Sequence, residues 1–396
     1  MFNKVCVDEL ELEGKRVLVR VDFNVPVKEG RVTDDIRMRE SLPTIRYARD
    51  RKARVILCAH LGRPKGKPSP ALSLRPVAAH LSELLAGPVG MAEDCIGAQV
   101  QADVARLQPG EVLLLENLRF HPEEEHNAAD FARALAGLCD VYVNDAFGAA
   151  HRAHASTAGI ARFVPVAACG FLMRKEIEHL GKLLTAPEHP FVAILGGAKV
   201  SDKIGVLKNL IGKVDTFLLG GAMAYTFLKA VGQPVGASLV EEDKLELARE
   251  TMKAARAAKV AFLPASDHVV AERIASGAPT RVVDGPEIPE GWMALDIGPK
   301  TREAFAVVVR GARTILWNGP MGVFETPPFD EGTKAVAAAI AASGAISIIG
   351  GGDTAAAVAQ AGVADKMTHI STGGGASLEF LEGRELPGIA ALTDKR

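Results

Sequence analysis

Short runs of β-branched and leucine residues alternate along this chain with longer Ala/Leu/Glu-rich stretches. Runs of the first kind read as buried strands, and stretches of the second kind, with apolar positions recurring every three to four residues, read as helices. In the first half the strands fall at 17–21 (VLVRV), 55–59 (VILCA), 112–115 (VLLL) and 141–144 (VYVN), with helices over 37–52, 74–85 and 128–138 between them. Strand, helix, strand in that order predicts a parallel sheet covered on both faces. The pattern restarts after Pro187, with strands at 191–195, 216–219, 260–263, 314–317, 346–349 and 369–371 and helices at 202–211, 242–258, 300–309 and 332–343. The expected fold class is α/β: two Rossmann-like domains, each a parallel sheet flanked by helices. An amphipathic helix at 171–184, followed by TAPEHP, reads as the joint, so we expect domains at 1–170 and 187–382 with a connecting segment at 171–186.

Length agrees: 396 residues at about 150 per domain exceed one core. A net charge of −2 excludes a basic nucleic-acid coat and a strongly acidic tail. Five scattered cysteines without a CxxC pair argue against a disulfide scaffold and against structural zinc. The opening residues carry acids where a secretory signal needs a basic end and an apolar core, and no run of 18 apolar residues is present. A cytoplasmic protein with neither membrane nor nucleic-acid partners is expected. Up to Gly170 the cations are 16 Arg and 6 Lys against 22 acids, whereas the remainder has 10 Arg and 14 Lys. The first half is therefore rich in the residue whose planar fork grips carboxylates and phosphates.

Five strand ends in the second half run into glycine: 196–197, 220–221, 319–322, 350–352 and 373–375. Ligands of open parallel sheets sit beyond the carboxyl ends of the strands, where a following helix aims free N–H groups at an anion. Phosphate is the natural occupant. The common templates are absent: no GxxxxGK[ST], no GxGxxG after a strand, no HRD or DFG. Lys199 and Lys203, four residues apart around the expected start of a helix, would share a face from which both could reach phosphates. Asp353 after three glycines suits Mg²⁺, and Glu325 can accept from ribose hydroxyls. Strand ends in the first half lead instead to Asp22, Asn24, His60, Arg63, Arg119 and Arg152, with Arg37 opening a helix. Converging arginines repel unless an anion joins them, so a small, highly anionic substrate is expected. His151 and His154 lack the partners that zinc requires.

VLVRVDFNVP at 17–26, HLGRP at 60–64, DAFGAAHRAHAS at 145–156, GGAKVSDK at 196–203, WNGPMGVFE at 317–325, GGGDT at 350–354 and STGGGAS at 371–377 together resemble the signature blocks of the phosphoglycerate kinase family. The blocks run in one order over essentially the whole chain. Ala149 and Ala155 stand where Thr and Ser are common, and neither is a main ligand position. The resemblance implies Mg²⁺-dependent transfer between ATP and 3-phosphoglycerate, giving ADP and 1,3-bisphosphoglycerate. It places the triose phosphate on Asp22, Asn24, Arg37, His60, Arg63, Arg119 and Arg152. It places the nucleotide on Lys203, Asn318, Glu325, Gly351, Gly352, Asp353 and Thr354, with Gly196, Gly197 and Gly220 near the adenine. Arg37, Lys199, Gly352 and Gly373 would stabilise the phosphoryl group in flight, and Asp353 would hold Mg²⁺. A monomer whose tail, 383–396, returns to the first domain is implied as well. A nicotinamide dehydrogenase would need the missing GxGxxG, and a non-catalytic binder of anions leaves Lys199, Lys203, Asp353 and the five glycine turns unexplained.

Overall fold

The computed structural model describes residues 3–285 and 287–395. Its strands in chain order are β1 (Arg16–Arg20), β2 (Val27–Lys28), β3 (Arg31–Val32), β4 (Arg54–Cys58), β5 (Val89–Met91), β6 (Val112–Leu114), β7 (Val141–Asn144), β8 (Ala167–Cys169), β9 (Phe191–Leu195), β10 (Thr216–Leu219), β11 (Ala261–Pro264), β12 (Asp267–Ala271), β13 (Arg281–Asp284), β14 (Met293–Ile297), β15 (Thr314–Asn318), β16 (Ile346–Gly350) and β17 (His369–Ile370). Contacts divide the chain into two units. The first runs up to Glu178 and takes in the residues from Glu385 onward; the second is His179–Arg384. The division falls inside the helix Phe171–Thr185, not at its ends.

The first unit holds a six-stranded sheet in the order β5-β6-β4-β1-β7-β8, parallel throughout. Its inner strands are buried on both faces, which is why they read as continuous apolar runs. Val17, Val19, Val55, Leu57, Val141 and Val143 pack one face against Met38, Leu42 and Ile45 of the helix Ile36–Asp50 and against Val77 and Leu81 of the helix Arg75–Leu85. Short edge strands β5 and β8 and the hairpin β2–β3 are additions to the sequence reading. Three-residue strands such as VGM and AAC carry too few β-branched positions to stand out.

The second unit repeats the plan with a parallel sheet in the order β11-β10-β9-β15-β16-β17. Trp317, fully buried on β15, sits in its core with Ile194, Leu218, Ile315 and Ile349, beneath Phe305, Val309, Val336 and Ile340 of the helices Pro299–Gly311 and Glu331–Ser343. An antiparallel three-stranded sheet, β13-β12-β14, was not expected. It lies in a stretch punctuated by Gly277, Gly285, Pro289 and Gly291, where acids interrupt the apolar runs and weaken the strand signal. No helix among the described residues is long and apolar enough to cross a membrane.

Several buried ionisable groups of the fold are held in their uncharged forms. His268 on β12 is fully buried beside Tyr225, whose Oη lies 3.0 Å from Nδ1; burial pushes the imidazole down to about 4, against the pull of Asp267. In the unfolded chain His268 takes up its proton near pH 6.5, so below that pH protons favour unfolding. The stability contributed by neutral His268 is whole above pH 6.5 and is lost as the pH falls toward 4. Relative to His268→Gln, the wild-type protein should therefore lose about 1.4 kcal/mol per pH unit over this window. Urea unfolding of both proteins at several pH values from 7.5 to 4.5 measures the difference, and a constant gap would contradict this account.

Candidate active site

Because the first sheet is parallel, the ends of β1, β4, β6 and β7 open on one edge. Asp22, buried just beyond β1, accepts a hydrogen bond from Arg37 Nη1 at 3.2 Å on Oδ2. The same nitrogen reaches the Asn24 carbonyl at 3.4 Å. Asn24 Oδ1 in turn accepts from the Gly62 N–H at 2.9 Å, and the Gly62 carbonyl accepts from Arg119 Nη1 at 3.0 Å. One continuous set of contacts thus joins Arg37, Asp22, Asn24 and Arg119 through the loop that bears His60 and Arg63. His60 is buried, with Nδ1 3.0 Å from Arg20 Nη2. Burial pushes its pKa well down, and Arg20, Arg119 and Arg152 add to the effect. His60 is therefore a neutral acceptor from Arg20 at pH 7. Arg152 donates from Nε to His151 Nε2 at 3.2 Å. Arg63 is exposed and, among the described residues, pairs with no carboxylate.

Beneath this edge lies an ion network that the sequence reading missed. Arg20 is fully buried on β1 and donates from Nε to Ser156 Oγ at 2.9 Å. Ser156 gives Glu124 two hydrogen bonds, from Oγ at 2.6 Å and from its N–H at 2.9 Å. Burial pushes the Glu124 carboxyl up, while Arg20 and Ser156 pull it back. A lone arginine inside VLVRV was the available signal, since a charge on a buried strand needs a buried partner.

In the second unit the loops after β9, β10 and β15 meet backbone to backbone. Gly196 N–H donates to the Asn318 carbonyl at 3.0 Å, Gly197 to Pro320 at 3.0 Å and Gly221 to Met321 at 2.8 Å. A Cβ on Gly196 would fall 2.1 Å from the Pro320 carbonyl oxygen, and one on Gly220 would fall 2.6 Å from Met321 Sδ. Beside these loops is a cavity of about 400 Å³. Gly197, Ala198, Tyr225, Leu239, Leu295, Met321 and Val323 line it, and Glu325 and Asp353 are its acidic residues. The apolar wall that Met293, Ala294 and Leu295 of β14 supply escaped the sequence reading, because nothing in MALDI marks a cavity lining.

Next to it, Lys203 Nζ hydrogen-bonds Asn318 Oδ1. Burial lowers the Lys203 pKa, against the pull of Asp202 and Asp353. Asn318 is fully buried, and its Nδ2 has no partner among the described residues. That nitrogen lies against the glycine turn, 2.8 Å from where a Gly350 Cβ would stand. Thr354 Oγ1 accepts from the Gly319 N–H at 2.7 Å, tying the turn to the β15 loop. Gly351, at φ +88°, leads into the helix Gly352–Gln360, whose first turn carries exposed Asp353; Gly352 faces open space. Lys199 is exposed, and Gly373 donates its N–H to Ser371 Oγ at 3.2 Å; neither lines the cavity.

Asp353 stands outside both clusters of described residues dense enough to hold a metal, Asp94–Cys95–His121 and Cys6–Asp8–Glu9. A single carboxylate fits Mg²⁺ when phosphate oxygens and waters supply the other ligands, which is that ion's usual mode with nucleotides.

Comparison with known proteins identifies the chain's relatives. The family model described as phosphoglycerate kinase matches residues 7–384. The phosphoglycerate kinase of Moorella thermoacetica is 61% identical over 392 residues, covering 99% of this chain and 100% of that protein. That of Solibacter usitatus is 60% identical over 396 residues, covering 99% and 100%. The solved phosphoglycerate kinase of Coxiella burnetii is 42% identical, covers 98% of each chain and superposes with a TM-score of 0.89. That of Pyrococcus horikoshii is 34% identical with the same coverage and a TM-score of 0.85. With nearly its whole length, both sheets and the ordered motif blocks shared, the chain belongs to the phosphoglycerate kinase family.

Proposed function

We propose that the chain catalyses the reversible transfer of a phosphoryl group between ATP and the carboxylate of 3-phosphoglycerate, with Mg²⁺, giving ADP and 1,3-bisphosphoglycerate. Family membership over residues 7–384 carries this reading. Two sites of different chemistry support it: an arginine-rich edge on one unit and a glycine-bounded apolar cavity on the other.

The acceptor carboxylate, with a pKa of roughly 3.5, is already ionised at pH 7 and needs no general base. What the transfer requires is in-line positioning and stabilisation of a loose phosphoryl group. Arg63, Arg119 and Arg152 would take the substrate's phosphate and carboxylate, while Asp22 and Asn24 would receive its hydroxyl. Neutral His60, accepting from Arg20, adds a polar contact without further repulsion among the cations. Asp22 positions Arg37 so that its guanidinium can meet the equatorial oxygens of the transferring group, together with Lys199. The Gly352 N–H would add a donor, and the Gly373 N–H could add another by leaving Ser371 Oγ, to which it donates at 3.2 Å.

On the other unit, the apolar cavity would take the adenine, with Gly197 in its lining and Gly196 and Gly220 letting the loops behind it meet. Glu325 would accept from the ribose. Lys203 and the unpartnered Asn318 Nδ2 would meet the phosphates, along with the turn Gly351–Thr354. Asp353 would hold Mg²⁺, which when bound neutralises nucleotide phosphate charge. Reacting atoms must come within about 3–3.5 Å, so turnover includes a step that brings the two sites together, with the segment 171–186 as its hinge. We place the enzyme in glycolysis and gluconeogenesis, as a cytoplasmic monomer.

A coupled assay with 3-phosphoglycerate and MgATP tests the reading directly; absence of turnover by the folded protein would overturn it. In that assay Arg37→Ala should lower kcat by about 10²–10³, the cost of one lost charge-stabilising donor, with a smaller change in KM. A raised KM at unchanged kcat would reduce Arg37 to ground-state binding.

Asp353→Ala should weaken MgADP binding while leaving 3-phosphoglycerate binding nearly unchanged, since the two sets of side chains belong to separate units. Isothermal titration with each ligand reads this out, and an equal loss of both would contradict it.

A further inference from the structure

At the edge of the first sheet the amino-terminal segment runs beside β8. Cys6 and Cys169 are parallel bridge partners there, and the Cys169 N–H donates to the Val5 carbonyl at 2.9 Å. Their Sγ atoms stand 2.8 Å apart, and both residues are fully buried. Paired strands run about 4.7–4.9 Å apart, inside the Cα window of about 4.4–6.8 Å that a disulfide tolerates. Closing the gap to a bond of about 2.05 Å therefore needs only a small side-chain movement. The thiols of Cys58, Cys95 and Cys139 have no cysteine partner among the described residues.

We propose that Cys6 and Cys169 form a site of reversible covalent oxidation, closing a disulfide that staples the amino-terminal segment to β8. Nothing in the proposed phosphoryl transfer uses either thiol. Cys6 is the attacking sulfur: the hydrogen bond with Cys169 and the Arg174 guanidinium favour its thiolate, against burial and the nearby Asp8 and Glu9. Cys169 is pushed the other way by the same hydrogen bond and by burial. With a peroxide as oxidant, the Cys6 thiolate attacks one peroxide oxygen and the O–O bond breaks. Hydroxide leaves, takes the thiol's proton as water, and Cys6 becomes the sulfenic acid. Cys169 sulfur then displaces the sulfenic oxygen, which departs with the second proton as another water. Two thiols and one hydrogen peroxide give one disulfide and two waters. A dithiol reverses the step by exchange. Access comes through local opening of the edge segment that carries Cys6, which few hydrogen bonds hold against β8 and Thr393 and which opens at lower cost than the core.

The bond would close a loop across 163 positions, which raises stability chiefly by restricting the unfolded chain. Full-length protein is treated with hydrogen peroxide while folded, then unfolded, alkylated and examined by mass spectrometry. The expected result is that alkylatable thiols fall from five to three, with a peptide pair linking Cys6 to Cys169. Dithiothreitol should restore all five. The oxidised wild type should melt several degrees above the reduced form, and the Cys6→Ser protein should show no such difference between oxidised and reduced samples. Five thiols remaining, oxygen added without a cross-link, or a cross-link to Cys58, Cys95 or Cys139 would each overturn the proposal. The wild-type mass measurement stands even if the serine variant fails to fold.

Discussion

A parallel sheet ends all its strands on one edge, and each unit of this chain is organised by that constraint. In the first unit the shared edge collects Arg37, Arg63, Arg119 and Arg152 with Asp22, Asn24 and His60. Such a concentration of positive charge is tolerable because the protein itself counters part of it. Asp22 pairs with Arg37, Glu125 lies 3.4 Å from Arg119 Nε, and the buried Arg20 is linked through Ser156 to Glu124. The network that includes Glu124 lies in the dry interior, where removing one charge would leave the other unpaired at high cost. Exposed Arg63, with partly exposed Arg37 and Arg152, keeps positive charge at the surface of this edge.

In the second unit the same constraint brings strand-end loops together, but the limiting quantity is space rather than charge. Gly196 and Gly319 are close enough that a Cβ on either would strike the other loop's backbone, at 2.1 and 2.2 Å. Their first duty is to let the loops after β9 and β15 hydrogen-bond to each other. Only with those loops in register does the cavity acquire its wall of Met321 and Val323. Gly352 differs, because a Cβ there would meet nothing. Its freedom leaves the start of a nine-residue helix unobstructed toward whatever occupies the turn.

Much of this was legible in the sequence because parallel strands are uniformly apolar and their polar residues cluster at the ends. β7, β9 and β10 fall where the pattern puts them, to the residue. Less visible were features whose cause is long-range. Arg20 finds its network through Ser156 and Glu124, more than 100 positions away. The sheet β13-β12-β14 consists of runs with acids inside or at their ends, Asp267, Asp284 and Asp296, and β13 is exposed along most of its length. Glycine spacing singled out the strand-end loops for a partly different reason from the one the structure supplies. Ligand approach was the expectation, and loop-to-loop contact accounts for Gly196, Gly220 and Gly221.

The chain ends show how far the first unit depends on distant sequence. Lys4 pairs with Asp394 at 2.8 Å, the Val5 N–H donates to the Thr393 carbonyl, and Thr393 exchanges hydrogen bonds with Ala167 through its N–H and Oγ1. Gly388 N–H donates to the Ala150 carbonyl at 2.8 Å, close below the loop that carries Arg152. These contacts cover the exposed side of β8, which would otherwise present an open strand edge. Residues from Glu385 onward are therefore part of the first unit's structure, although the second unit separates them from it in sequence. β1, β4, β6 and β7 all lie before residue 145, whereas the segment that closes this edge comes from beyond residue 384. The arginine-bearing loop after β7 likewise takes a backbone contact from Gly388, a partner more than 200 positions away in sequence, and contacts of such separation form slowly.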